Sequence, residues 1–275
     1  MKSSLEIHEL ASGQNFVVHQ TIDHIEAPNW SRDGKHLLFN SEGRLWRIPV
    51  AGGEPRVIDT GFATGQNNDH GLSPDGSLIA ISDKTETGKS CIYVVPAGGG
   101  TPRRVTQHVP SWWHGWSPDG LRLAYPAVRD GFFGIYTIPV EGGEEFMVCG
   151  GDGPHYDGPD YTPDGEWIWF NSDRSGVMQL WRARTNGDAL QQMTHDENVN
   201  WFPHPSPDGH NVVYLAYEPG TEGHPAGRRV ELRLMGAGGG DPKTIVKLFG
   251  GQGTINVPNW SPDGGSFAFM RYFED

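Results

Sequence analysis

Three histidines stand at comparable places in a chain of 275 residues. His70, His114 and His204 each fall two or three residues before a Ser-Pro-Asp-Gly tetrapeptide, and Asp160 falls two residues before the variant Thr-Pro-Asp-Gly. Imidazoles titrate near neutrality and ligate transition metals. Three of them with a carboxylate therefore suit either general acid and base catalysis or a divalent ion such as zinc, manganese or iron. His70, His114 and His204 are accordingly candidates both as catalytic groups and as metal ligands. No local ligand spacing of the His-Glu-x-x-His kind accompanies them. Their convergence depends on the fold that repeats the turn.

The turn occurs as "SRDG" at 31, "SPDG" at 73 and 117, "TPDG" at 162, and "SPDG" at 206 and 261. Spacings of 42, 44, 45, 44 and 55 residues match a unit of four short strands. After each copy comes an apolar segment with period-two character, such as "HLLFN", "LIAIS" or "WIWFN". A further strand ("RLWRIPV", "CIYVVPA", "GIYTIPV") then runs into a Gly-rich hairpin turn and a last short strand. "SFAFMRYFED" supplies one strand after the last turn, and "SLEIHELASGQNFVVHQT" supplies two before the first. The reading is an all-β, six-bladed β-propeller of four-stranded blades. It forms a single domain over residues 1–275, with the last blade closed by N- and C-terminal strands.

The pattern W-S-P-D-G-x-x-x-A/V-F with L-W-R/Y-x-P-x-x-G-G resembles the TolB-type propeller repeat over essentially the whole chain. The resemblance implies a propeller and, as for TolB in the Tol-Pal envelope system, a non-catalytic module that binds a protein partner. TolB adds an N-terminal α/β domain and is periplasmic. Here the opening "MKSSLEIHELASGQNFVVHQ" has no apolar core of signal-peptide length, so a cytoplasmic protein is expected. Some metal-dependent oligogalacturonate lyases also resemble TolB propellers and hold their metal with several inner-strand histidines. That likeness implies a lyase acting on a uronic acid sugar, with the metal acidifying the carbon beside the carboxylate. Those enzymes have more blades, so only the type of site transfers.

In a propeller the innermost strand of each blade lines a central channel, and the loops leading into these strands surround one mouth. Aligned on the turn, the six copies read "APNWS", "DHGLS", "WHGWS", "GPDYT", "FPHPS" and "VPNWS". The residue before Ser or Thr is Trp30, Leu72, Trp116, Tyr161, Pro205 or Trp260, which suits packing between blades. One place earlier stand Asn29, Gly71, Gly115, Asp160, His204 and Asn259, an irregular polar ring. Where that place is Gly, a His precedes it, and the repeat alone offers no packing reason for the change.

The loops leading into the inner strands add Gln66, Asn67, Asn68 and Asp69, and His155, Tyr156 and Asp157. These are either ligand-binding groups or solvated turn formers. The long last spacing comes from "YEPGTEGHPAGRR", which carries Glu218, Glu222, His224, Arg228 and Arg229; it reads as a lid over the mouth or as a surface insertion. Trp112, Trp113 and Trp201 could stack on a sugar face or pack between blades. His210, after its turn, belongs to the opposite face.

Twenty-one basic against 34 acidic residues give a net charge of −13, with no basic run to track a phosphate backbone. Nucleic acid and anionic membrane are unfavourable partners, and no apolar stretch is long enough to span a bilayer. Cys91 and Cys149 make neither a disulfide framework nor a zinc site. Neither a Gly-x-Ser-x-Gly elbow nor a phosphate-binding Gly-rich loop is present. The expected ligand is small and polar, with carbohydrate favoured and a divalent metal as the candidate cofactor. A protein partner is the alternative.

Overall fold

The structure, a computed structural model, describes residues 2–274, and β-strand is the only regular secondary structure among them. Five four-stranded antiparallel sheets follow one another along the chain, and a sixth is formed from both ends. Numbered from the first turn, blade one comprises Glu26–Trp30, His36–Ser41, Arg44–Pro49 and Arg56–Val57. Blades two to five begin at Gln66, Gly115, Tyr156 and Val199. In blade six Ser3–Glu9 pairs with Gln14–Thr21 on one side and with Ser266–Tyr272 on the other. The six-bladed propeller and its closure by both termini are as expected. The innermost element of blade six, however, is a single bridge between Trp260 and Phe267 rather than a strand. Pro258, which has no N–H to donate, precedes it.

The turn that marks each blade is one hydrogen-bond pattern used six times. The Ser or Thr hydroxyl donates to the Asp carboxylate two residues on, at 2.5 to 2.6 Å, in every copy. The same hydroxyl accepts the N–H five residues on, as His36 N to Ser31 Oγ at 2.9 Å. The Gly that follows the Asp has φ between 71° and 74° in all six, a conformation that costs other residues about 1 kcal/mol or more. Arg32 takes the Pro position in the first copy. Its guanidinium donates to the carbonyls of Leu72 (2.6 Å) and Ser73 (3.0 Å), tying blade one to blade two.

Between neighbouring blades lie six apolar clusters, one per interface. Leu38 and Leu45 of blade one meet Ile79 and Tyr93 of blade two, for example, and Leu5 and Met270 of blade six meet Leu37 and Ile48 of blade one. Each such side chain contributes about 1.5 to 3 kcal/mol when buried, so the ring gains most of its stability from faces that exist only when neighbours are present. At the closure Arg271 donates from Nε to Glu6 Oε1 (2.8 Å) and from Nη2 to Oε2 (3.1 Å), and Glu6 is only 5% exposed. Arg271→Met leaves that carboxylate buried without its cation and lowers unfolding stability by about 3 kcal/mol. The double variant Glu6→Gln/Arg271→Met recovers most of the loss. Urea unfolding of the three variants checks this.

Candidate functional site

The inner strands of blades one, two, four and five each carry a break in register, between Glu26 and Asn29, Gln66 and His70, Asp157 and Asp160, and Trp201 and His204. At three of these breaks the residue before a Pro takes a left-handed backbone: Ala27 (φ 56°), Gly158 (φ 61°) and Phe202 (φ 54°). Such bulges re-aim the side chains that follow. The strained Phe202 is held by its N–H, which donates to the buried Asn171 Oδ1 at 3.0 Å. Its ring thereby faces the channel mouth.

The mouth surrounded by the lead-in loops holds a cavity of about 250 Å³. Aromatic rings form part of its lining. Trp112 stacks on Phe133 (6.2 Å between centroids), Phe133 on His155 (4.2 Å), and Phe202 lies against both His114 (6.0 Å) and His224 (5.3 Å). Buried Trp201 backs His155 and His224. Amides and carboxylates line it as well: Asn67, Asn68, Asp69, Asp157, Gln252 and Asn256. No Lys or Arg lines the cavity.

Imidazoles and carboxylates alternate within it. His114 Nε2 lies 3.6 Å from Asp69 Oδ1 and 3.4 Å from Asp157 Oδ1. His155 Nε2 and His224 Nε2 stand 3.7 and 3.9 Å from Asp157 Oδ2. Burial, then the neighbouring Asp157, pushes the Asp69 carboxyl well above the usual carboxylate range. Burial would raise Asp157 as well, but His155, His114 and His224 outweigh it and hold Asp157 down to about 2. Burial lowers His114 to about 4 against the pull of Asp157, whereas Asp157 overcomes burial at His155 and raises it. At neutral pH Asp69 therefore keeps its proton far more readily than Asp157, although both are aspartates of one cavity.

The TolB beta propeller domain profile matches residues 110–224. A protein of Agrobacterium fabrum of unassigned role is 53% identical over 274 residues, covering 99% of this chain and 93% of its own length. A solved structure of a TolB candidate from Agrobacterium tumefaciens is 52% identical, with a TM-score of 0.98 and coverage of 100% and 99%. The chain belongs to the TolB-like β-propeller family. The Tol-Pal system protein TolB of Francisella tularensis is 25% identical over 90% of this TolB-like chain, which spans only 57% of that protein's length. An oligogalacturonate lyase in complex with manganese shares the fold alone, at 13% identity and a TM-score of 0.59, covering 82% of this chain and 66% of its own.

In this TolB-like ring the residues singled out from the sequence separate into three groups. His114, Asp69, His155, Asp157 and His224 come together at the mouth, with Asn67, Asn68 and Trp112. Asn29, Trp113 and Asp160 line a second cavity of about 260 Å³ at the opposite end of the channel, beside the turn prolines Pro74, Pro118, Pro163, Pro207 and Pro262. The rest line neither cavity. Tyr156 is in the core with its hydroxyl donating to Asp152 (2.8 Å), and Glu222, Arg228 and His210 are exposed. Buried Asn259 donates to the Ala268 carbonyl at 2.8 Å.

The three-histidine set is not assembled. His204 has both ring nitrogens engaged, Nδ1 with Asp160 Oδ2 (3.1 Å) and Nε2 with the Ile255 carbonyl (2.7 Å). His70 is buried apart from the mouth with neither nitrogen partnered. Among the described residues no three His, Cys, Asp or Glu side chains are grouped to hold a metal ion. The change from Pro-Asn to His-Gly has a packing cause after all. A Cβ on Gly71 would sit 2.1 Å from Trp113 Cη2, and one on Gly115 would sit 3.0 Å from the Pro159 carbonyl.

Phe133, Phe202, Gln252 and Asn256 went unnoticed in the sequence. The last two lie in "GGQGTINVPN", the loop leading into the sixth inner strand, where the reasoning applied to blades two and four would have found them. The insertion of blade five does reach the mouth. Tyr217 holds the Pro225 carbonyl (3.1 Å), and His224 Nδ1 contacts Gln252 Oε1.

Two outcomes follow from this packing and electrostatics. Gly71→Ala costs about 2 to 3 kcal/mol by overpacking against Trp113, read as a lower urea midpoint, and Trp113→Phe in the same chain returns part of it. Burial lowers His70 to about 3 and His114 to about 4, so their contribution to stability is complete above the unfolded value near 6.5 and is lost as pH falls. His155, raised and partly exposed, acts in the opposite sense, favouring the fold below about 6.5. Asp69 and Asp160, which burial raises, also favour the fold as pH falls, so the histidine share is read by difference. In urea unfolding between pH 7 and 4.5, His70→Asn loses less stability on acidification than the wild-type chain, by up to about 1.4 kcal/mol per pH unit.

Proposed function

We propose that the channel mouth binds a small neutral carbohydrate. The observation that carries this reading is the mixed lining of the cavity. Trp112 and Phe133, both half-buried, are aromatic rings of the kind on which the C–H face of a sugar stacks. Amides and carboxylates of the same lining accept from and donate to hydroxyls. At about 250 Å³ the cavity is below the roughly 300 to 1,000 Å³ of sites for drug-sized ligands, which suits one or two rings. A negative Asp157, a raised His155 and no Lys or Arg give the lining little net charge for a uronate to answer. The metal-dependent uronate lyase reading is correspondingly less supported, because His204 is spent on Asp160 and Ile255 and His70 lies elsewhere.

A second reading draws on the likeness to the Tol-Pal system protein TolB: a non-catalytic module that docks a protein segment. The opposite mouth, with Trp30, Trp116, Tyr161 and Trp260 among the turn prolines, is the surface that favours it. Melting curves with glucose, galactose, mannose, xylose and their disaccharides separate the two. A neutral sugar in large excess raises the midpoint by several degrees through mass action, and Trp112→Ala and Asp157→Asn abolish the shift while Arg228→Ala keeps it. A shift with galacturonate and manganese instead would favour the lyase, and no shift with any sugar would favour the docking module.

A further inference from the structure

The outermost strand of blade six, Gln14–Thr21, pairs with Ser3–Glu9 on its inner side and, among the described residues, with no strand on its outer side. An open edge of this kind presents unpaired N–H and C=O groups, and proteins ordinarily shorten it, charge it or cover it. The outermost strands of blades one, two and four have only two residues each, Arg56–Val57, Arg103–Arg104 and Gln191–Gln192. That of blade three, Phe146–Gly150, has five and ends in a left-handed glycine. That of blade five, Lys243–Gly250, carries two lysines, and Arg271 of blade six donates to its Lys247 carbonyl at 3.4 Å. Gln14–Thr21 has none of these protections. It is eight residues long and contains no Lys, Arg, Asp, Glu, Pro or Gly. Phe16 and Val17 on it are 48% and 57% exposed. Phe16 stands opposite Ile7, and Ile7 opposite Ala268, so one apolar row crosses the blade and ends at the open edge. Ile7 and Ala268 belong to the buried cluster shared with blade one.

We propose that this edge pairs antiparallel with the same edge of a second copy of the chain, about a two-fold axis at Phe16. Directly opposed residues of an antiparallel pair share a face, so an axis at one residue sets it against its own copy. With the axis at Phe16 the two apolar rows become one, Ala268–Ile7–Phe16 continuing into Phe16–Ile7–Ala268 of the second copy. Asn15 then faces Val17 on the other side of the sheet. The aromatic pair and the added ladder of hydrogen bonds favour association. Charge is what selects a second copy as the occupant. A chain of net charge −13 repels itself wherever acidic surfaces are opposed, and this strand is neutral throughout. Glu6 and Glu9, on the neighbouring strand, lie three strand spacings from their counterparts, at least about 14 Å, which exceeds the screening length of about 8 Å at physiological salt. Glu6 is also paired with Arg271. A contact of one strand is smaller than the roughly 800 Å² per partner of a standard interface, so the dimer is weak and depends on concentration.

Sedimentation velocity of the full chain, from micromolar to millimolar concentration, is the test. The wild-type chain passes from monomer to dimer and no further. Phe16→Lys, which opposes two ammonium groups and removes the aromatic pair, raises the dissociation constant by about 10-fold or more. Val57→Lys, on the outermost strand of blade one, leaves it unchanged. Under mild oxidation Phe16→Cys gives a covalent dimer that the wild-type chain, with its own Cys91 and Cys149, does not give. Melting curves of each variant establish that it is folded. A wild-type chain that remains monomeric at millimolar concentration overturns the proposal, and so does a dimer that Phe16→Lys leaves intact. Growth beyond the dimer overturns the two-fold arrangement, because a contact between different surfaces need not close. Faster cross-linking of Val17→Cys than of Phe16→Cys overturns the axis at Phe16.

Discussion

Closure of the ring is the constraint on which the rest depends. Seven residues of the first strand, Ser3 to Glu9, pair with seven of the last, Ser266 to Tyr272, and the Glu6–Arg271 pair sits on that seam. Every blade buries its faces against two neighbours, so an open ring would expose two apolar faces and two sheet edges at once. The channel-mouth cavity has the same dependence. It takes residues from blades two, three, four and five and from the loop before blade six, and none of these blades alone presents a concave surface.

Within the closed ring, the strand residues other than Gly that take a positive φ lie where the channel is lined. Register breaks occur in the inner strands of four blades, and positive φ at Ala27 and Phe202 is accepted by residues that ordinarily avoid it. The outer strands of blades three, five and six also pair across a break in register, but none of their residues other than Gly takes a positive φ, and the outer strands of blades one and six carry the exposed apolar residues Phe16, Val17 and Val57. The strain therefore falls on positions that aim side chains inward. It is offset by specific hydrogen bonds, such as that from the Phe202 N–H to Asn171, rather than by generic packing.

The two ends of the channel differ in chemistry although they are built by the same repeat. The end formed by the turns repeats Pro and an aromatic residue, because those positions serve the turn and the contact between blades. Trp116 Nε1 donates to the Gly71 carbonyl and Trp260 Nε1 to that of His204, each at 2.9 Å. The end formed by the lead-in loops has no such shared duty. Its residues differ from blade to blade, and His204 links blades four, five and six through Asp160 and the Ile255 carbonyl.

The fold was legible in the sequence because its signals are local and repeated. A Ser or Thr, an Asp two residues on and a Gly in a left-handed turn need only their own backbone to form, and six copies at near-equal spacing count the blades. Part of the site was legible for the same reason, since Asp69, His114, Asp157 and His224 occupy loops that the repeat assigns to one face. What the sequence could not decide was which of two neighbouring side chains points to the mouth. His70 and His114 occupy equivalent places, yet only His114 lines the cavity, and the indole of Trp113 over Gly71 goes to the other end. That outcome depends on bulges, on the fit of one ring against a glycine in the next blade, and on the distances among carboxylates and imidazoles from different blades. These are contacts between residues far apart in the chain, and only the closed ring brings them together.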